Sequence, residues 1–93
     1  MKRSEHMSYH EGFIISGEYD KEMKEFAIQK VKEFQTQSVV NQKQVNSLYR
    51  YLKSNIDKEE GQVVTLYDQM PVKLSQEEVK QIILDLEHIK SLF

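Results

Sequence analysis

A stripe of apolar residues near the carboxy-terminal end constrains this chain more than any other feature. Val79, Ile82, Leu86, Ile89 and Phe93 step forward by 3, 4, 3 and 4 positions, the spacing of a helix that packs lengthwise on another helix. Ile83, Leu84 and Leu92 widen the stripe beyond half the helix girth. A surface that broad has to be enclosed, because apolar area left in water costs about 25 cal/mol per Å². The cover is either the centre of its own subunit or a second copy in a homodimer. Ser75 supplies an N-cap, Glu78 completes a capping box, and Leu74 and Val79 sit at the two positions of a hydrophobic staple. The spacing and caps predict a helix over 75–92.

Ninety-three residues correspond to one domain. A chain of this size buries roughly 60–65% of its unfolded surface and is marginal as a monomer. An apolar share of 39% beside 30% charged residues suits an ordered fold rather than a disordered segment. Cysteine is absent, which removes disulfides and thiolate metal sites and fits a reducing cytoplasm. No apolar run reaches the ~18 residues needed to span a bilayer. Met1-Lys2-Arg3 is followed by no apolar core of a signal peptide. The expected location is cytoplasmic.

Residues 1–11 show no periodicity and are expected as a mobile arm, with one compact domain over 12–93. Gly12-Phe13-Ile14-Ile15-Ser16-Gly17 reads as a brief strand centred on 13–16. Tyr19, Met23, Phe26, Ala27, Val31 and Phe34 follow helical spacing, and Asp20 is an N-cap residue type. These predict a helix over 19–35. Asn41 and Gln44 form a second capping box, stapled by Val40 and Val45, for a helix over 41–57. Residues 62–74 read as extended, with Pro71 confining part of them to an edge strand and Asp68 at a bend. The expected fold is helix-dominated α+β: three helices and a small antiparallel sheet pairing 13–16 with 62–74.

Chemistry-bearing residues are sparse. His6 and His10 lie four apart beside Glu5 and Glu11, but no third ligand follows at metal-site spacing. His88 has Asp85 three residues before it, as expected for a surface histidine near a helix end. Glu59-Glu60 precede a glycine turn, and Glu77-Glu78 suit the positive end of a helix dipole. No phosphate loop, nucleophile signature or metal cluster is present, so catalytic, cofactor and metal residues are not assigned.

The remaining signal is charge placement. Residues 37–58 carry a net +3 and residues 59–93 a net −4. Lys43, Asn46, Arg50 and Lys53 make one polar stripe along the second predicted helix. Such a stripe suits an acidic protein surface, and alternatively the phosphates or major groove of nucleic acid. An overall charge of −2 favours the protein, since nucleic-acid affinity draws on many phosphate contacts. Ile28, off the apolar face of its predicted helix, and Tyr67 are further expected contacts. The sequence therefore points to a small non-catalytic interaction or regulatory protein. An inhibitor or accessory subunit of the kind encoded by phages or mobile elements would fit.

Overall fold

The computed structural model describes residues 7–65 and 71–93. Four strands, β1 (Met7–Glu11), β2 (Ile15–Asp20), β3 (Glu25–Val31) and β4 (Phe34–Asn41), form an antiparallel meander in chain order. Helix α1 (Gln42–Ser54), a hairpin of β5 (Gln62–Thr65) and β6 (Pro71–Leu74), and helix α2 (Gln76–Lys90) follow. The expectation of a helix-dominated, three-helix fold is overturned: the described residues hold two helices and six strands.

Residues 19–35 are where that expectation failed. Instead of a helix they contain the end of β2, a turn, β3, a second turn and the start of β4. Tyr19, Phe26 and Val31 are buried, so they satisfy either period, but Met23 and Phe34 face solvent. The deciding alternation is Phe26 and Ile28 inward against Ala27 and Gln29 outward. An irregularity at Gln29 then shifts the phase, so Lys30 stays outside and Val31 turns in. The Asp20 side chain does accept two backbone N–H bonds, from Glu22 at 3.0 Å and Met23 at 3.2 Å. That is the contact an N-cap makes, here closing a turn instead. Lys24 and Lys32 take positive φ, 55° and 58°, in the two hairpin loops. Neither loop contains the glycine, proline or Asn-Gly pair that marks a hairpin in sequence.

Two further expectations change with it. The arm predicted over 1–11 is ordered from Met7, because β1 pairs with β2 from Met7↔Asp20 to Glu11↔Ser16. Residues 13–16 do not pair with 62–74. Gly12 to Ile15 turn β1 into β2, closed by the Gly12 N–H on the Ile15 carbonyl at 2.9 Å. β5 and β6 pair with each other, from Gln62↔Leu74 to Thr65↔Pro71. Gly61 makes the reversal into β5 at φ 78°, where a Cβ would run into the Leu74 carbonyl. Tyr67 and Asp68 lie outside the described residues.

Both helices begin at capping boxes. Asn41 Oδ1 accepts from the Gln44 amide at 2.8 Å, and Gln44 Oε1 from the Asn41 amide at 2.9 Å. Ser75 Oγ accepts from the Glu78 amide at 3.2 Å, and Glu78 Oε1 from the Ser75 amide at 2.9 Å. Each cap stabilises its helix by about 1 kcal/mol. The Ser75 N–H, assisted by Lys32 at 3.1 Å, holds the Glu78 carboxyl below its ordinary range. Its contribution is therefore complete above the ordinary glutamate value and is lost as pH falls through the lowered one.

Helix α2 crosses one face of the meander, which becomes the inner face. Glu78 meets Lys32 at the β3–β4 turn, Asp85 meets the β1–β2 turn, and Phe93, just past the helix, stands edge-on to Tyr19 of β2 at 4.9 Å. Val79, Ile82, Ile83, Leu86 and Ile89 are all buried within the one subunit, and Phe93 is partly buried against them. Helix α1 lies beside α2, where the Tyr49 hydroxyl donates to Glu87 at 2.9 Å. Ile15, Phe26, Val31 and Val40 of the sheet complete the core with Val45, Leu52, Val72 and Leu74.

Candidate functional site

Because α2 packs on the inner face, strand alternation points a second row of side chains outward, where no described element covers them. Tyr9, Glu18, Ala27 and Val39 stand in cross-strand register over all four strands. Glu11, Ser16, Lys30 and Gln35 make a second such row. Between the rows, the register shifts at Ser16–Gly17 and Ile28–Lys30 displace the strands, and such bulges bend a sheet and increase its twist. The result is an open groove of about 1020 Å³ on the outer face.

The groove lining is mixed. Gln29, Gln35 and Gln37 bring amides, Ser16 and Thr36 hydroxyls, Lys30 a single cation, and Ala27 and Val39 apolar surface. Tyr9, 51% exposed, and Val39, 49% exposed, flank the groove on the two outermost strands. Gln29 Nε2 donates to Glu18 Oε1 at 3.1 Å, which orients that amide across strands. Paired donors and acceptors beside apolar patches match the groups on a polypeptide surface. The ionisable groups of this lining are Tyr9 and Lys30.

A second constellation lies on the inner side, at the β1–β2 turn. Asp85 of α2 is 3% exposed. Its Oδ1 accepts the Phe13 N–H at 2.9 Å, and Oδ2 accepts those of Ile14 at 2.6 Å and Ile15 at 2.9 Å. Three successive main-chain donors on one carboxylate form an anion-holding turn, with the anion supplied by the chain itself. Gly12 permits the approach: a Cβ there would collide with Asp85 Oδ1 and with His10 Nε2. His10 of β1 is itself buried and stacks on His88 of α2, ring centroids 4.8 Å apart. Its pKa is lowered, first by burial and next by His88, with Asp85 acting in the opposite direction. Among the described residues, no group of three His, Asp or Glu side chains is placed to hold a metal ion.

The residues singled out from sequence fall in different places. Lys43, Asn46, Arg50 and Lys53 are on α1, with Lys43 and Arg50 exposed. Lys53 is drawn toward α2, 3.9 Å from Glu87 and 3.3 Å from the Tyr49 hydroxyl, and Lys90 caps the same tyrosine ring at 3.9 Å. Ile28, expected on an outward helical face, is 2% exposed on β3 and reaches the groove only at its floor. Tyr67 lies outside the described residues, as does His6. His88 keeps the exposed helix-end setting its sequence context implies, whereas His10 is buried, because β1 brings its ring onto that of His88. The groove was missed because Ala27, Ile28, Gln29, Lys30 and Gln35 were assigned to a helix and Tyr9 to a mobile arm. Asp85 had a legible signal: a lone acid within the apolar arc between Ile82 and Ile89. No protein-family model matches this chain, and no curated protein or solved structure shows significant similarity to it.

Proposed function

We propose that this protein is a small non-catalytic interaction protein, an inhibitor or accessory subunit, that docks a protein partner on the outer face of its meander. The observation behind this is the uncovered row Tyr9–Glu18–Ala27–Val39 over a groove lined with amides. A soluble antiparallel sheet commonly leaves one face in water, but that face is then usually uniformly polar. Here an aromatic ring and a β-branched residue stand at the margins, with short Ala27 between them, which is the arrangement of anchors around a shallow recess. Gln29, Gln35 and Gln37 can both donate to and accept from a partner's backbone and side chains, so desolvated peptide groups regain their hydrogen bonds. Binding through neutral amides also tolerates the chain's net charge of −2.

Ala27→Arg inserts a guanidinium into the groove while leaving the inner core intact, and Arg50→Glu reverses the exposed α1 stripe. Affinity capture from a lysate of the source organism, with nuclease present, compares the two variants with wild type. The expected result is a nuclease-resistant protein partner retained by Arg50→Glu and lost with Ala27→Arg. Capture that disappears with nuclease and with Arg50→Glu, but survives Ala27→Arg, overturns the protein-docking role in favour of nucleic acid.

A further inference from the structure

The inner-face cluster at the β1–β2 turn is not used by the groove, yet it joins an edge strand to a helix through titratable groups. His10 is 9% exposed, and its Nε2 has no hydrogen-bond partner among the described residues. Its ring lies on that of His88, 23° from parallel, and meets the edge of Phe26 from β3 at 6.1 Å. Among the described residues, the charged and titratable groups facing it both come from α2, His88 and Asp85. From β2 it faces its cross-strand partner Gly17. Tyr9, Glu11 and Glu18, the neighbouring ionisable side chains of β1 and β2, stand on the opposite face by strand alternation.

We propose that the His10–His88 stack is a proton-operated latch: neutral imidazoles hold β1 and the β1–β2 turn against α2, and acid releases them. Two neutral rings gain contact by stacking, whereas positive charge on both rings at this spacing repels. The buried His10 ring has little water to screen its own charge, although His88 is exposed. Among the described residues, Asp85 is the group that favours charge on His10. Its two oxygens already accept three main-chain N–H bonds, so much of its field is spent on the turn. Burial and His88 outweigh it, which lowers the His10 pKa. For a base with a lowered folded-state pKa, the unfolded chain takes up the proton first. The latch is therefore complete above the ordinary histidine value and weakens as pH falls from that value to the lowered one. β1 is the strand that yields, because it is at the sheet edge with one strand neighbour, whereas β2 keeps β3.

Hydrogen exchange followed residue by residue by NMR, corrected for intrinsic rates, tests this at about pH 7.5 and about pH 5. The amides of Phe13, Ile14 and Ile15 are expected to lose about tenfold or more of their protection at the lower pH. Amides between β3 and β4 should keep theirs. His88→Phe, which retains a stacked ring without a charge, is expected to remove most of the difference. Protection at the turn that does not change with pH overturns the latch. So does a parallel loss over the whole molecule, or an unchanged pH response in His88→Phe. Should that variant fail to fold, the wild-type protein decides through NMR titration of the His10 ring. A His10 pKa at or above the ordinary histidine value sinks the proposal, and one below it that titrates together with the Ile14 and Ile15 amide shifts supports it.

Discussion

On strand β3, Phe26 and Ala27 are neighbours in sequence with opposite roles. Phe26 is fully buried beneath the helices and touches His10 edge-on, while Ala27 lines the outer groove. The same division runs over the sheet: Ile15, Tyr19, Val31 and Val40 inside, Tyr9, Gln29, Gln37 and Val39 outside. The inner face is filled by other parts of the chain, and most of its side chains are apolar and buried. The outer face is covered by nothing among the described residues, yet it carries the exposed Tyr9 and Val39. The two faces thus separate what holds the fold together from what remains free to bind.

The largest expected contrast comes from substituting those two neighbours. Phe26→Ala should destabilise by about 3–5 kcal/mol, from lost burial plus the cavity it leaves. Ala27→Arg should change stability by no more than about 0.5 kcal/mol, although under the proposed docking role it should abolish partner capture. Urea denaturation of both variants measures the difference, and comparable losses would erase the distinction between the faces. Next in size is Asp85→Ala, which strands the Phe13, Ile14 and Ile15 donors at the inner end of the sheet. A buried donor left unpaired costs about 1–3 kcal/mol, so a loss of about 2 kcal/mol or more is expected, with amide exchange at the turn accelerated before that of β3. Smallest is Lys24→Gly in the β2–β3 loop, which relieves a left-handed side-chain conformation at an exposed site. A gain of up to about 1 kcal/mol is expected, read as a higher denaturation midpoint with an unchanged slope.

Legibility in the sequence followed the range of the interactions involved. Both capping boxes join residues three apart, and the helices begin where Asn41 and Ser75 predicted. The seam of α2 was visible because its period runs unbroken for four turns. β5 and β6 were read as extended, and the turn between α1 and β5 was anticipated at Gly61. The meander was not legible, for two reasons. Its two later hairpins turn on lysines with positive φ, which carry no sequence mark. The irregularity at Gln29 also breaks the alternation of β3 midway, leaving Tyr19, Phe26 and Val31 compatible with a helix. A single period of spacing cannot distinguish the two when the strand itself is out of phase.

The candidate sites divide in the same way. Lys43 and Arg50 were read correctly as positions on the exposed side of a helix. The groove and the His10–His88–Asp85 cluster had no such signal, since each gathers residues from separate elements. His10 and His88 are far apart in sequence and meet only because α2 crosses β1.

What the amino-acid sequence determined by itself is where the helices start, which helix face is buried, and that no cysteine or membrane-length apolar helix contributes. These depend on near neighbours and on composition. Only the tertiary structure decided that residues 7–41 form a four-stranded sheet, that no described element covers its outer face, and that Asp85 closes a turn 70 residues or more away. Strand pairing and buried polar contacts draw their free energy from partners remote in the chain, and no local pattern encodes which partner will arrive.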